Sequence, residues 1–263
     1  MADYTDDLRF AHLLADNADS IALARFKAHD LQLDEKPDHT WVTDADKSVE
    51  ETIRKMLATS RPRDAIHGEE MDDTGYGPRR WVIDPIDGTH NYMRGVPVWA
   101  TLIGLMIDGE VRVGVVSAPS LGRRWWASEG TGAYVGKSLF NATKLHVSNI
   151  QRVEDSFLSY GEVGEWIEEG RGQQFVDLMR DCNRTRAFGD FWHYMMVAEG
   201  AIDIACEPDL ALYDMAALDV IVREAGGRFT NLDGQDGPVG PGALATNGLL
   251  HDEVLARLAV HAA

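Results

Sequence analysis

The chain has 263 residues, enough for one large domain or two tightly joined halves, and its 44% hydrophobic and 26% charged residues are the balance of a soluble globular protein. Acidic residues outnumber basic ones 43 to 25, a formal net charge of -18, which excludes a surface built for nucleic acid or an anionic membrane. No uncharged apolar run approaches a membrane span, the acidic N-terminus does not read as a signal peptide, and Cys182 and Cys206 lack CxxC spacing. A cytoplasmic protein with two reduced, buried thiols is expected.

In chain order, Leu8, Ala11, Leu14, Ala15, Ala18, Ile21, Ala22 and Phe26 recur at helical spacing and predict an amphipathic helix over 6–28. Residues 30–40 are polar, and Lys36-Pro37-Asp38 predicts a loop or short extended piece. A second helix starts from a cap at Thr43-Asp44 and runs through Val49, Ile53, Met56 and Leu57 to the break at Arg61-Pro62. A short strand over 64–67 ends at Gly68-Glu69-Glu70, and 71–78 is a polar loop.

The stretch Trp81-Val82-Ile83-Asp84-Pro85-Ile86-Asp87-Gly88-Thr89 then runs apolar residues into a carboxylate and stops the strand at a proline. A second carboxylate follows, and Gly-Thr opens a helix. Two acids at a strand end beside a helix N-terminus suit cations next to an anion.

Beyond it, runs 99–107 and 111–117 joined by Asp108-Gly109 predict a hairpin, with further antiparallel strands at 124–127 and around 132–134. Residues 1–149 thus read as an α+β half with a largely antiparallel sheet. In 150–263, strands at 156–160, 184–187, 201–205, 228–230 and 244–246 alternate with helices at 172–180, 191–199, 213–224 and 249–260, a mixed α/β half. No linker or repeat parts the halves, so 1–263 is expected to be a single domain.

Magnesium takes oxygen ligands, and four places set acids at element ends: Glu69-Glu70, Asp84 with Asp87, Asp214, and Asp44 with Asp46. A lone Asp at a strand end is usually a turn or cap residue. Asp-x-x-Asp-Gly-Thr says more, because it supplies metal and phosphate sites together.

Asp84-Pro85-Ile86-Asp87-Gly88-Thr89 resembles the signature of the inositol monophosphatase family of magnesium-dependent phosphatases. Gly68-Glu69-Glu70 resembles its upstream acidic motif. Leu212-Tyr213-Asp214-Met215-Ala216-Ala217, followed by Glu224-Ala225-Gly226-Gly227, is similar to its downstream Trp-Asp-x-Ala motif, with Tyr213 in place of the Trp. The resemblance implies an α+β, layered αβαβα sugar-phosphatase fold, commonly a homodimer, acting on a small phosphate monoester. It implies two or three Mg2+ ions: Glu69, Asp84 and the Ile86 carbonyl around the first, Asp84 bridging to a second held by Asp87 and Asp214, and a weaker third near Glu69.

It further implies Thr89 and Asp46 as the pair that orients or deprotonates the attacking water, with Glu69 counted beside them as catalytic. The N–H groups of Gly88 and Thr89 would hold the phosphate, and Glu69, Ile86, Asp87 and Asp214 would also border the substrate. From the residues alone, Asp46 is a first-turn acid complementing a helix dipole. A carboxylate cage without a nucleophilic Ser or Cys suffices for in-line attack by metal-activated water, so no phosphoenzyme is expected.

Arg184 to Trp192 lies where inositol phosphatases carry an Arg-x-x-Gly segment facing the substrate. Asp190 directly after Gly189, with 197–205, Glu207-Pro208, 95–100 and 245–251, resembles the histidinol-phosphate phosphatase branch of the family. That implies hydrolysis of L-histidinol phosphate in histidine biosynthesis, with Arg186, Asp190 and Glu207 on the substrate. Asp190 and Glu207 would meet its ammonium and imidazole. Other readings stand beside these: Asp190 as a helix cap, Arg186 as a buried ion-pair partner or a contact from the same or a neighbouring subunit, and Glu207 as an acid of inositol phosphatases too. For the whole protein the competitors are an inositol-1-phosphate phosphatase and a catalytically silent binding or regulatory relative. His90 reads as a solvated first-turn residue, and Trp125, Trp126 and Trp192 as core or pocket wall.

Overall fold

The computed structural model describes residues 3–36 and 40–260, so the loop expected at Pro37-Asp38 lies outside the described residues. The first half comprises α1 (Thr5–Arg25), β1 (Leu33–Glu35), β2 (Trp41–Thr43), α2 (Asp44–Ser60), β3 (Ala65–Gly68), β4 (Arg79–Asp87), α3 (Thr89–Met93), β5 (Ala100–Ile107), β6 (Glu110–Ala118), β7 (Arg123–Ser128), β8 (Gly132–Ser138) and β9 (Asn141–Lys144). The second comprises β10 (Phe157–Tyr160), α4 (Val163–Glu168), α5 (Gly172–Asp181), β11 (Arg184–Arg186), α6 (Asp190–Ala198), β12 (Ile204–Glu207), α7 (Leu212–Glu224), β13 (Arg228–Thr230), β14 (Ala243–Thr246) and α8 (His251–Leu258).

One sheet runs β3-β4-β5-β6-β7-β8-β9, parallel only between β3 and β4, which meets the expectation of a largely antiparallel first half. The other runs β11-β10-β12-β14-β13, with β10 parallel to β11 and β12 and the remaining pairs antiparallel. Alternate residues of each strand enter different cores. Trp81 and Ile83 of β4 pack with α1 and α2, whereas Val82 faces α6 and α7. In β12, Ala205 joins that central core while Ile204 and Cys206 pack toward α5 and α8. Strands buried on both faces read as continuous apolar runs.

The layers are therefore α1/α2, the seven-stranded sheet, α6/α7, the five-stranded sheet, and α4/α5/α8, the αβαβα order expected. Helix α7 lies tight on the first sheet at Gly114, where a Cβ would stand 2.6 Å from the Ala217 carbonyl oxygen. That close approach brings the start of α7 to the end of β4. Both cysteines are buried and free. Among the described residues no helix is long and apolar enough to cross a membrane.

Two strand boundaries and two short elements depart from expectation for a clear physical reason. Strand β4 does not stop at Pro85 but continues to Asp87; Asp84 faces Leu102 and Asp87 faces Ala100, so a bulge absorbs the proline that cannot donate to the ladder. The Pro85 carbonyl still accepts from Thr101 Oγ1 at 2.8 Å. Strand β12 begins at Ile204 rather than 201, because Gly200 turns at φ 70° and Asp203 folds its carboxylate onto the Phe157 N–H at 2.7 Å. Glu207 is consequently the last residue of the strand rather than a residue beyond it. Strand β9 is exposed throughout and α4 spans only Val163–Glu168, so neither carries a period to read.

Candidate active site

The bulge at the end of β4 turns Asp84 and Asp87 toward the same space, and α7 adds Asp214 from its first turn. Ligand atoms of these three carboxylates lie within 4.8 Å of one another. Two of the three are held from behind by backbone N–H groups. Asp87 Oδ2 accepts the Phe191 N–H at the start of α6 (2.7 Å), and Asp214 Oδ2 accepts the Ala211 N–H (2.7 Å). Asp84 Oδ1 is buried without a hydrogen-bond partner. An orphaned carboxylate oxygen between two other acids fits a divalent cation, which would supply the partner the protein does not. The donor set is all oxygen and fits a hard divalent ion.

The electrostatics agree. Burial, then the charges of Glu69, Asp87 and Asp214, raises Asp84 well above the ordinary carboxyl range. Burial, then Asp190 and Asp214, does the same to Asp87. Burial raises Asp214 to about 7 and Asp46 to about 6. A carboxyl whose pKa is higher folded than unfolded takes up protons on folding. In metal-free protein its contribution is therefore most favourable at low pH and is lost as pH rises from the ordinary 3.8 toward about 7. A divalent cation needs the ionised form and reverses that penalty. The rise in Tm produced by Mg2+ is expected to grow from about pH 5 to about pH 8. Thermal melts across that window check it, and a Mg2+ effect independent of pH would contradict this cluster as the binding site.

Glu69 and Glu70 leave β3 and meet Lys36, whose Nζ lies 2.8 Å from Glu69 Oε1 and 2.7 Å from Glu70 Oε1. Burial works against the Lys36 ammonium, but the two carboxylates outweigh it and raise its pKa. Burial raises Glu69 as well, while Lys36 opposes the shift; burial and the Glu69 charge bring Glu70 to about 7. Completely buried Glu50 supports the loop by accepting the Glu70 N–H at 2.8 Å while pairing with Arg54 at 2.7 Å. Asp44 is not part of the cluster; it pairs with Arg25 at 2.8 Å.

Asp46 has two jobs, one per oxygen. Oδ2 accepts the Thr43 N–H at 2.9 Å and its hydroxyl at 2.5 Å, closing a capping box on α2. Oδ1 faces Thr89 Oγ1 at 3.5 Å, so the structure brings together two residues 43 positions apart. The Thr89 hydroxyl also lies 3.0 Å from the Ile86 carbonyl, the shorter of its two contacts. Gly88 (φ 81°) precedes α3 and leaves its first turn without a side-chain cap. His90 is exposed on that turn, as expected.

Asp190 and Glu207 stand on the far side of Asp87, close enough to raise it. Asp190 does not cap α6: Gly189 holds the N-cap position and no side-chain cap bond forms. Its backbone is left-handed (φ 49°), and its Oδ2 accepts instead from Asn91 Nδ2 at 2.9 Å. Burial and the Glu207 charge raise Asp190 to about 6. Glu207 meets His193 Nε2 at 2.9 Å. Arg186 is exposed on edge strand β11 and its guanidinium returns to the Thr185 carbonyl, so the buried ion-pair reading for it is overturned. Trp125 and Trp126 are core, and Trp192 packs partly buried against Phe188. Sequence reasoning missed Lys36, Glu50, Asn91 and His193 as site residues. Only Asn91 carried a usable signal, sitting in the same short helix as Thr89.

The inositol monophosphatase family profile matches residues 3–262. A histidinol-phosphatase of Streptomyces coelicolor is 58% identical over 98% of both chains, and one of Mycobacterium tuberculosis is 52% identical over 96% of this chain and 98% of that protein. The solved structure of a Thermotoga maritima IMPase superposes with a TM-score of 0.85 at 28% identity, covering 97% of each chain.

Proposed function

The chain belongs to the inositol monophosphatase family, and on that premise we propose that it is a metal-dependent phosphomonoesterase converting L-histidinol phosphate to L-histidinol and phosphate in histidine biosynthesis. One observation supports the substrate beyond kinship. Asp190 and Glu207 form an acidic wall next to the metal-type cluster, and neither pairs with a lysine or arginine among the described residues. Glu165 adds to it: burial and the Glu207 charge raise that carboxyl to about 7. Half-buried Asp190, with no lysine or arginine partner, suits a substrate that brings an ammonium and an imidazole and is costly opposite a neutral polyol, whereas Glu207 is an acid that inositol phosphatases carry too.

Asp84, Asp87 and Asp214, with Glu69 and the Ile86 carbonyl, would hold two or three Mg2+ ions. Bound there, the metal lowers the pKa of water and neutralises charge on the phosphoryl oxygens. The protein's own groups do the rest. Asp46, its Oδ2 fixed by Thr43, holds the Thr89 hydroxyl so that it can accept from the attacking water and orient it on phosphorus. The Gly88 and Thr89 N–H groups face the phosphate. The ester P–O bond breaks opposite the incoming water, and no side chain is phosphorylated. Asp190 and Glu207 bind the cationic end. The two halves act as one domain in this reading, because Met195 and Leu218 sit in a core shared by both sheets. A cytoplasmic homodimer completes the proposal, with exposed Arg186 contacting substrate from the same or the neighbouring subunit.

Turnover assays with Mg2+ on histidinol phosphate, inositol-1-phosphate and fructose-1,6-bisphosphate test the substrate. Histidinol phosphate is expected to give the highest kcat/KM. Preference for either other ester would overturn the substrate and leave the phosphatase standing, whereas phosphate release from none of them would favour a silent binding relative.

A further inference from the structure

The two oxygens of Glu207 are held in different ways. Oε2 lies 2.9 Å from His193 Nε2. Oε1 lies against Gly161, where an added Cβ would stand 2.2 Å away, so only glycine leaves that oxygen its place. His193 is completely buried on α6, and its other nitrogen, Nδ1, lies 3.3 Å from Ser159 Oγ on β10. Ser159 Oγ in turn accepts the Phe188 N–H at 3.2 Å.

The direction of this chain follows from what each group can give. A backbone N–H only donates, so Ser159 accepts from Phe188 and its own proton is free for His193 Nδ1. The imidazole then carries its proton on Nε2 and donates it to Glu207. Both imidazole nitrogens and the Ser159 hydroxyl are used along the path, and Glu207 is left an acceptor close enough to Asp87 and Asp190 for its charge to raise both. None of these residues lies in the metal cluster or on the Thr89–Asp46 pair.

We infer that His193, backed by Ser159, is a positioning residue that orients Glu207 toward the cationic end of the substrate and so sets specificity. The inference rests on the histidinol phosphate reading. A buried hydrogen bond to a charged group is strong enough to matter for binding.

The test is steady-state kinetics of the full chain with Mg2+ on histidinol phosphate and on glycerol 2-phosphate, an ester with no cationic group. For His193→Leu, KM for histidinol phosphate should rise about tenfold with kcat changed less than about threefold. The ratio of kcat/KM between the two esters should fall by about tenfold. His193→Gln, whose amide can still donate to Oε2, should recover part of the loss. In a Glu207→Gln background the same His193→Leu change should add less than about twofold, because its effect runs through that carboxylate. If His193→Leu does not fold, Ser159→Ala, which removes only a hydroxyl, is expected to move the ratio in the same direction. An unchanged ratio with both esters falling together, or full additivity in the Glu207→Gln background, would overturn the inference. A wild-type protein inactive on histidinol phosphate sinks the substrate reading itself, and the inference with it, before any variant is measured.

Discussion

Asp84→Asn should lower kcat by about a thousandfold or more while the protein still folds, because several kcal/mol of transition-state charge stabilisation depend on the ion it would bridge. The fold should survive for a reason visible in the site. Asp84 is buried with an oxygen that has no partner, and it sits among Glu69, Asp87 and Asp214. Removing its charge relieves repulsion in the metal-free chain, so Tm without Mg2+ should hold or rise. The Mg2+-induced rise in Tm should shrink at the same time. Phosphate release and paired melts with and without Mg2+ read all three quantities. Wild-type turnover in the variant would refute the metal role, and a collapsed Tm without Mg2+ would mean that Asp84 holds the fold instead.

Thr89→Ala is expected to lower kcat by about a hundredfold and to move KM by less than about threefold, the pattern of a group that acts on the attacking water rather than on ground-state binding. Thr89→Ser keeps the hydroxyl and should retain most activity. Asp46→Asn should show a similar fall in kcat. Its stability should change by less than about 1 kcal/mol, since the amide oxygen still accepts the Thr43 N–H and loss of a buried charge offsets the weaker bond. Kinetics on histidinol phosphate and denaturant melts separate the two effects. A higher KM with kcat intact in Thr89→Ala would reassign that hydroxyl to the phosphate.

Much of this site was legible in the sequence because its signals are local. Asp84, Asp87, Gly88 and Thr89 are covalent near-neighbours, so one strand end and one short helix present them together whatever the rest of the chain does. The Thr43 cap and the start of α7 at Asp214 are likewise short-range, and the two-faced burial of β4 to β6 is written in their apolar runs. Other features had no local sign. The proline inside β4 reads as a stop until the facing register on β5 provides a bulge around it. Asp190 looks like a cap until its left-handed backbone turns the carboxylate to Asn91, 99 positions away.

From the sequence alone, then, come the family resemblance, with the αβαβα layering it implies, and the acids that suit magnesium, because helix caps, strand runs and a six-residue motif depend on neighbours along the chain. The tertiary structure alone decided which groups hold those acids: Lys36 on Glu69 and Glu70, Phe191 on Asp87, and His193 with Ser159 behind Glu207. The reason is physical. Each of these contacts joins segments apart in the sequence, and its existence depends on the order in which the sheets are assembled and on how closely α6 and α7 pack between them.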